Sequence, residues 1–259
     1  VGCGSRWRTR KRPTNSRHFL AKRLVENELS VSTSALLYIH GVRGGWLYDV
    51  SGQYGRNRFA FAVGNSLNVS LGPASTKTQF DAGTLVLSQL AGNVDISRGF
   101  SVRGLAGPLN LAFGAEVRRE SYGITAGEPD SYRDGGEANQ FGGPGAIGAQ
   151  VFPGFRPSNE VEASRYNSAG YIDLEGNLLR WLRFGAAGRG EKYSDFGSTV
   201  DGKLTVRVQP VRQLAIRGSA STGFRAPSLS QSYFSSTATN FLNLGAGLVP
   251  VESLTLPVS

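Results

Sequence analysis

Leu109-Asn110-Leu111-Ala112-Phe113-Gly114-Ala115-Glu116-Val117-Arg118 is the stretch that decides the fold. Leu109, Leu111, Phe113, Ala115 and Val117 occupy every second position, and Asn110, Glu116 and Arg118 fall between them. Successive side chains on a β-strand point to opposite faces, so this order gives one apolar face and one polar face. The polar face carries full charges, which a strand buried on both sides does not tolerate.

The same alternation recurs along the chain. Trp46, Tyr48 and Val50 form one stripe, and Phe59, Phe61 and Val63 another. Val94, Ile96, Phe100 and Val102 follow, then Ile172, Leu174 and Leu178, then Leu182, Phe184 and Ala186. Leu204, Val206 and Val208 precede a last stripe at Leu214 and Ile216. With the opening stretch this makes about eight strand candidates, each about ten residues long, the pattern of antiparallel strands in a membrane barrel. No run of about 18 apolar residues occurs, so a membrane-crossing helix is excluded, but spanning strands are not.

The connections divide into two kinds. Short turns are expected near Ala106–Leu109, Leu179–Leu182 and Gln209–Gln213. Long polar loops are expected at Asn65–Asn93 and Thr125–Arg165, with a shorter one at Ser194–Thr199. Short turns on one side and long loops on the other suit an outer-membrane barrel. A soluble β-sandwich has little use for a loop of roughly 40 residues. Periodicity alone does not separate a wet lumen from an ordinary solvated face. Trp46, Tyr48 and Trp181 stand where interfacial rings would stand, although strand propensity alone also explains them.

The net charge of +9 comes largely from one tract, Arg6 to Arg23. A basic arm of this kind can bind nucleic acid, but only Trp7 and Phe19 are interleaved to stack bases, so no nucleic-acid partner is expected. Residues 1–40 are read as a basic N-terminal segment in which Leu20 to Glu28 makes a short helix or a strand edge. The one cysteine, Cys3, excludes an intrachain disulfide framework. The chain has no Met, so it is expected to be a fragment or a processed product.

Catalytic chemistry finds little support. The two histidines, His18 and His40, both fall in the N-terminal segment, which argues against a Ser-His-Asp triad or a histidine metal site. Asp173 and Glu175 share a strand face, where a carboxylate pair more often lines a wet surface than does acid–base work. Gly142-Gly143-Pro144-Gly145 lacks the strand-to-helix context of a phosphate cradle. The chain is therefore expected not to be an enzyme, with no cofactor and no metal. Binding is the chemistry that remains. Tyr132, Arg133, Tyr193, Phe196, Arg225 and Tyr233 are the loop candidates, because rings stack on flat ligands or sugars and guanidinium groups pair with carboxylate or phosphate.

Several segments resemble a known family. Gly218-Ser219-Ala220-Ser221-Thr222-Gly223-Phe224-Arg225-Ala226-Pro227-Ser228-Leu229 is similar to the "GFRAPSL" segment late in the barrel of TonB-dependent outer-membrane receptors. Tyr193-Ser194-Asp195-Phe196-Gly197 resembles the "YSDFG" loop that precedes it there. Ala112-Phe113-Gly114-Ala115-Glu116, followed by Arg118-Arg119-Glu120 and Tyr122, resembles the family's "AFGAEYRRE.Y" strand. Ser66-Leu67-Asn68 and Phe80-Asp81-Ala82-Gly83 resemble further pieces in the same order.

The resemblance runs from about Gly41 to Phe241 and implies an all-β fold: an antiparallel transmembrane β-barrel, here partial, about eight strands of a larger barrel. The expected organisation is residues 1–40 as the N-terminal segment, 41–241 as partial barrel, and 242–259 as a loop or truncated end. The implied function is an outer-membrane active-transport receptor in a Gram-negative cell that imports a scarce nutrient such as an iron chelate, a cobalamin or a glycan. Its implied partners are that solute, outer-membrane lipid, and the TonB complex through a plug domain that these residues do not contain. Two alternatives stay open on the residues alone: a small structural or adhesive outer-membrane barrel, and a soluble β-rich binding protein.

Overall fold

The computed structural model describes residues 25–243 and 248–257. The basic tract Arg6 to Arg23, His18 and Cys3 lie outside the described residues. Eight strands follow one another: β1 Val25–Arg43, β2 Trp46–Gly64, β3 Gln79–Phe100, β4 Leu109–Thr125, β5 Val161–Leu179, β6 Leu182–Tyr193, β7 Gly197–Val211 and β8 Leu214–Ser221. Each pairs antiparallel with the next, so the sheet order is the chain order. β1 and β8 are not paired with each other, and the sheet is open. Eight strands here do not close into a small barrel; they form a section of wall. A short helix α1 (Pro129–Tyr132) lies between β4 and β5, and α2 (Leu229–Tyr233) follows β8. A separate hairpin, β9 (Ser236–Asn243) with β10 (Leu248–Thr255), ends the described chain.

The register assigns every side chain a face. In β4 the odd residues Leu111, Phe113, Ala115 and Val117 point outward, and Glu116, Arg118 and Glu120 point inward with Asp95 of β3 and Arg165 of β5. The outward side of the middle of the sheet is continuous and apolar: Val50, Val94, Ile172, Leu204, Val206 and Ile216 are all exposed there. Among the described residues nothing covers this face, whereas in a sandwich a second sheet would bury it. From Leu109 to Val117 the apolar stripe runs roughly 27 Å at about 3.4 Å per residue. At a strand tilt of about 40° that is about 20 Å of height, close to the apolar band of an outer-membrane barrel. Trp46 packs edge-on against Phe100 and Phe113 near the short-turn end, with the Arg98 guanidinium over the Trp46 and Phe100 rings. An aromatic girdle occupies this level in such barrels.

Turn lengths follow the expected asymmetry. Gly44 and Gly45, both at positive φ, close the β1–β2 hairpin in two residues, as a tight hairpin turn requires. Arg180–Trp181 and Arg212–Gln213 do the same for β5–β6 and β7–β8, while residues 101–108 join β3 to β4 on that side. The opposite end carries residues 65–78, residues 126–160 and the segment after β8.

Several boundaries differ from the sequence expectation. The loop expected at Asn65–Asn93 stops before Gln79, because Gln79–Asn93 is the outer half of β3. In that half Leu85 and Leu87 face inward while Val86 and Leu90 face outward, so both faces are apolar and the alternation vanishes. The stripes at Trp46–Val50 and Phe59–Val63 belong to a single strand, β2. The eighth strand of the sheet is β1, which runs from Val25 through the segment expected to end at residue 40. Residues 242–259, expected as a loop or truncated end, contain β10.

Candidate functional site

Inward-facing side chains of β3 to β6 form a ladder of charges. Their spacing follows from strand geometry, since residues two apart share a face and register neighbours lie opposite one another. Arg118 pairs with Glu116 and approaches Glu120 at 3.9 Å. Arg189 pairs with Glu191 and lies 3.5 Å from Glu116. The Tyr193 hydroxyl donates to Glu191, and the Tyr171 hydroxyl donates to Asp95 at 2.6 Å. Gly114 makes the Tyr171–Asp95 bond possible: a Cβ there would stand 2.5 Å from both the Asp95 carboxylate and the Tyr171 ring. Nearer the short turns, Glu175 pairs with Arg183 at 2.8 Å in a region that also holds Lys203, Arg207 and Arg217. This face is wet and charged where the opposite face is bare and apolar.

At the outer end the ladder gives way to a buried clamp. Arg165, only 2% exposed, sends its Nε to both carboxylate oxygens of Asp195 at 2.9 and 2.7 Å. Its Nη1 donates to the Pro227 carbonyl at 2.7 Å, and its guanidinium lies over the rings of Phe196 and Tyr193. One planar cation thus ties the β6–β7 turn to the segment after β8, a use of the guanidinium fork and face that Lys cannot reproduce. Two of the segments whose sequences resemble the receptor family, Tyr193–Gly197 and Gly218–Leu229, are held together by it.

The two long loops fold inward above the ladder. Phe61, Leu85, Leu87, Tyr122, Ile124 and Val161 are the inward residues of the strand tops, and they pack beneath Phe152, Phe155, Leu229 and Phe234. Buried polar residues hold the loops to each other. Asn68 donates to the carbonyls of Asp130 and Arg133 at 3.0 and 2.9 Å and accepts from the Ser70 amide and hydroxyl. All its hydrogen-bonding capacity is spent across two segments more than sixty residues apart, which is how a polar side chain comes to be buried without cost. The Ser66 hydroxyl donates to the Gln150 carbonyl at 2.8 Å. Lys77 bridges Glu128 and Asp130 at 2.8 and 3.1 Å. The Lys77 ammonium holds the Asp130 carboxyl below its ordinary value, and the hydrogen bond to Glu128 raises Lys77 above its own. The hairpin β9–β10 joins this cap through Arg156–Glu252 and through the Thr239 hydroxyl on the Ile147 carbonyl at 2.8 Å.

The six sequence candidates separate into two sets. Tyr193 and Phe196 stack on Arg165, and Tyr193 also meets Phe224 edge-on at 6.2 Å between ring centroids. Tyr132 ends α1, and Arg133 follows it, paired with Asp130 at 2.8 Å and otherwise solvated. Arg225 and Tyr233 are exposed on the segment after β8. A cavity of about 610 Å³ on the inner side, beneath α2, contains none of the six. Its walls include Gln53, Asn57, Gln89, Glu120, Tyr122 and Ser228. The Tyr122 hydroxyl is buried there without a hydrogen-bond partner among the described residues. Only the alternation of β2, β3 and β4 could have pointed to these residues, and in the upper strands that alternation is obscured.

Known proteins resemble the chain in sequence and in fold. A family model described as "TonB dependent receptor-like, beta-barrel" matches residues 4–256. Among solved structures, the siderophore receptor PirA from Acinetobacter baumannii superposes with a TM-score of 0.57 at 13% identity, covering 89% of this chain and 30% of that one. The chain therefore spans about a third of that receptor's length, and the likeness is one of fold. No curated protein sequence matches it. With that family model matching residues 4–256, nearly the whole length of this two-faced antiparallel sheet, the chain belongs to the TonB-dependent receptor-like β-barrel family.

Proposed function

We propose that the chain is a section of the wall of a Gram-negative outer-membrane receptor that binds a scarce nutrient and imports it with energy from the TonB complex, acting through a plug domain. The observation that carries this reading is the two-faced sheet: uncovered apolar side chains outside and the Glu116–Arg118–Arg189–Glu191 ladder inside. A wall of this kind suits passage of a solute rather than covalent chemistry. The solute class is an iron chelate, a cobalamin or a glycan. The siderophore receptor among the solved relatives supports testing iron chelates first.

Solute meets the loop groups first: the exposed Arg133, Arg225 and Tyr233 and the half-buried Tyr132. Tyr193 and Phe196 contribute by holding Arg165, which fixes the loop that presents Arg225. The test is growth of the host on single sources of iron, cobalamin or glycan, with the gene deleted and, separately, with tonB deleted. Loss of growth on the same one source in both strains supports the reading. Undiminished growth on every source in the gene-deleted strain contradicts it.

A further inference from the structure

The outward face carries one feature that a plain lipid-facing wall does not need. A groove of about 790 Å³ crosses β3 to β6 at the upper edge of the apolar band. Gly92 and Ser168, register neighbours across Val117, keep its floor low. Leu90 and Val117 are its exposed apolar walls, 56% and 62% accessible. Arg119 and Lys192 stand at its upper margin, and the Arg119 guanidinium lies 5.3 Å from the centroid of the Tyr166 ring. No carboxylate lines the groove. Neither cation joins an ion pair among the described residues; of the inward cations, Arg118, Arg165, Arg183 and Arg189 do and Lys203, Arg207 and Arg217 do not.

We infer that this groove binds a membrane lipid bearing a phosphate headgroup, with the phosphate between Arg119 and Lys192 and an acyl chain along Leu90 and Val117. The inference rests on the reading that this face meets lipid. Charge complementarity selects the occupant. Two unpaired cations at the apolar–polar boundary attract an anionic headgroup, while the apolar walls below them offer a chain no reason to leave. Stacking on Tyr166 orients the Arg119 fork, and a guanidinium so held presents paired N–H groups to phosphate oxygens.

The test uses the native protein that carries this chain, extracted from outer membranes in detergent, with lipid binding followed by native mass spectrometry. Three probes separate the sources: phosphatidic acid, diacylglycerol with the same tails, and inorganic phosphate. Phosphatidic acid should bind more tightly than diacylglycerol, and the Arg119→Gln/Lys192→Gln double variant should weaken it about 30-fold. Arg98→Gln, at the other edge of the band, should leave this binding unchanged. Equal binding of phosphatidic acid and diacylglycerol, or no loss in the double variant, would overturn the inference, as would competition by inorganic phosphate at the same concentration. A protein that proves soluble and monomeric without detergent overturns both the membrane reading and this one. A detergent-requiring protein with no preference for phosphatidic acid overturns this one alone.

Discussion

The middle of the wall and its outer rim are built from the same strands but bury opposite faces. In β4, Phe113, Ala115 and Val117 point outward while Glu116, Arg118 and Glu120 point inward. One turn of the pleat further, Tyr122 and Ile124 point inward into a packed core and Ser121 and Gly123 point outward. β2 makes the same switch between Val50 and Phe61. The backbone does not change; the solvent around it does. On the proposed membrane reading, lipid surrounds the middle of the wall, so apolar side chains face out there and the charges share the interior. Above that level water lies outside, and the strand tops bury their apolar groups inward against loops, as an ordinary protein does.

The largest effect expected from breaking the rim is Arg165→Ala. Removing this buried side chain loses its hydrogen bonds to Asp195 and the Pro227 carbonyl and its stacking on Phe196 and Tyr193 and leaves a cavity, and about 3–5 kcal/mol of stability should be lost. Arg165→Lys should recover only part of this, because an ammonium keeps the charge but not the fork. Denaturant unfolding in detergent followed by tryptophan fluorescence measures both. Next comes the wall itself. Ala115→Arg places a charge on the lipid face within the band and should cost about 2–4 kcal/mol. Asn68→Ala should cost about 1–3 kcal/mol, since it leaves buried carbonyls of Asp130 and Arg133 without their donor. Ser121→Arg, outward but above the band, should cost about 0–1 kcal/mol. The contrast between Ala115→Arg and Ser121→Arg locates the lipid boundary.

The smallest effect is that of pH on the loop cap. Asp130 is depressed by Lys77, so its contribution to docking is complete above its ordinary value of 3.8 and is lost as pH falls through the lowered value. Lys77 is raised by Glu128, so its contribution is complete below its ordinary value of 10.5 and is lost as pH rises through the raised value. Docking of residues 126–160 should therefore be flat across neutral pH and loosen in strong acid or strong base. Both side chains are partly exposed, so the change is modest and local. Limited proteolysis of this loop across pH reads it directly.

The sequence made the middle of the wall legible because one solvent acts on it. Leu109 to Arg118 alternates without interruption, and the faces found there are the faces expected. The rim was illegible for the same reason that it inverts. From Gln79 to Ala91 the inward Leu85 and Leu87 and the outward Val86 and Leu90 are all apolar, which hides the strand within an apparent loop. Phe59, Phe61 and Val63 read as a stripe like Tyr48 and Val50, yet Phe61 belongs to the inner core. Tyr193 and Phe196 read as ligand rings because they sit in a loop, and composition does not show that Arg165, thirty residues from Asp195, also lies against them. Arg165 carries no local signal, since its partners meet only when β5, β6 and the segment after β8 are side by side.

The inversion along β4 is open to a single direct measurement. With Cys3 replaced by Ser, single cysteines are placed at positions 112, 113, 115, 116, 117, 121 and 122 and labelled in intact outer membranes with a water-soluble maleimide. The account predicts labelling at 112, 116 and 121, where the side chain meets water, and protection at 113, 115 and 117 by lipid and at 122 by packing. Labelling of 113, 115 and 117 as readily as 112 and 116 would contradict it, because the outward face of the wall would then be wet.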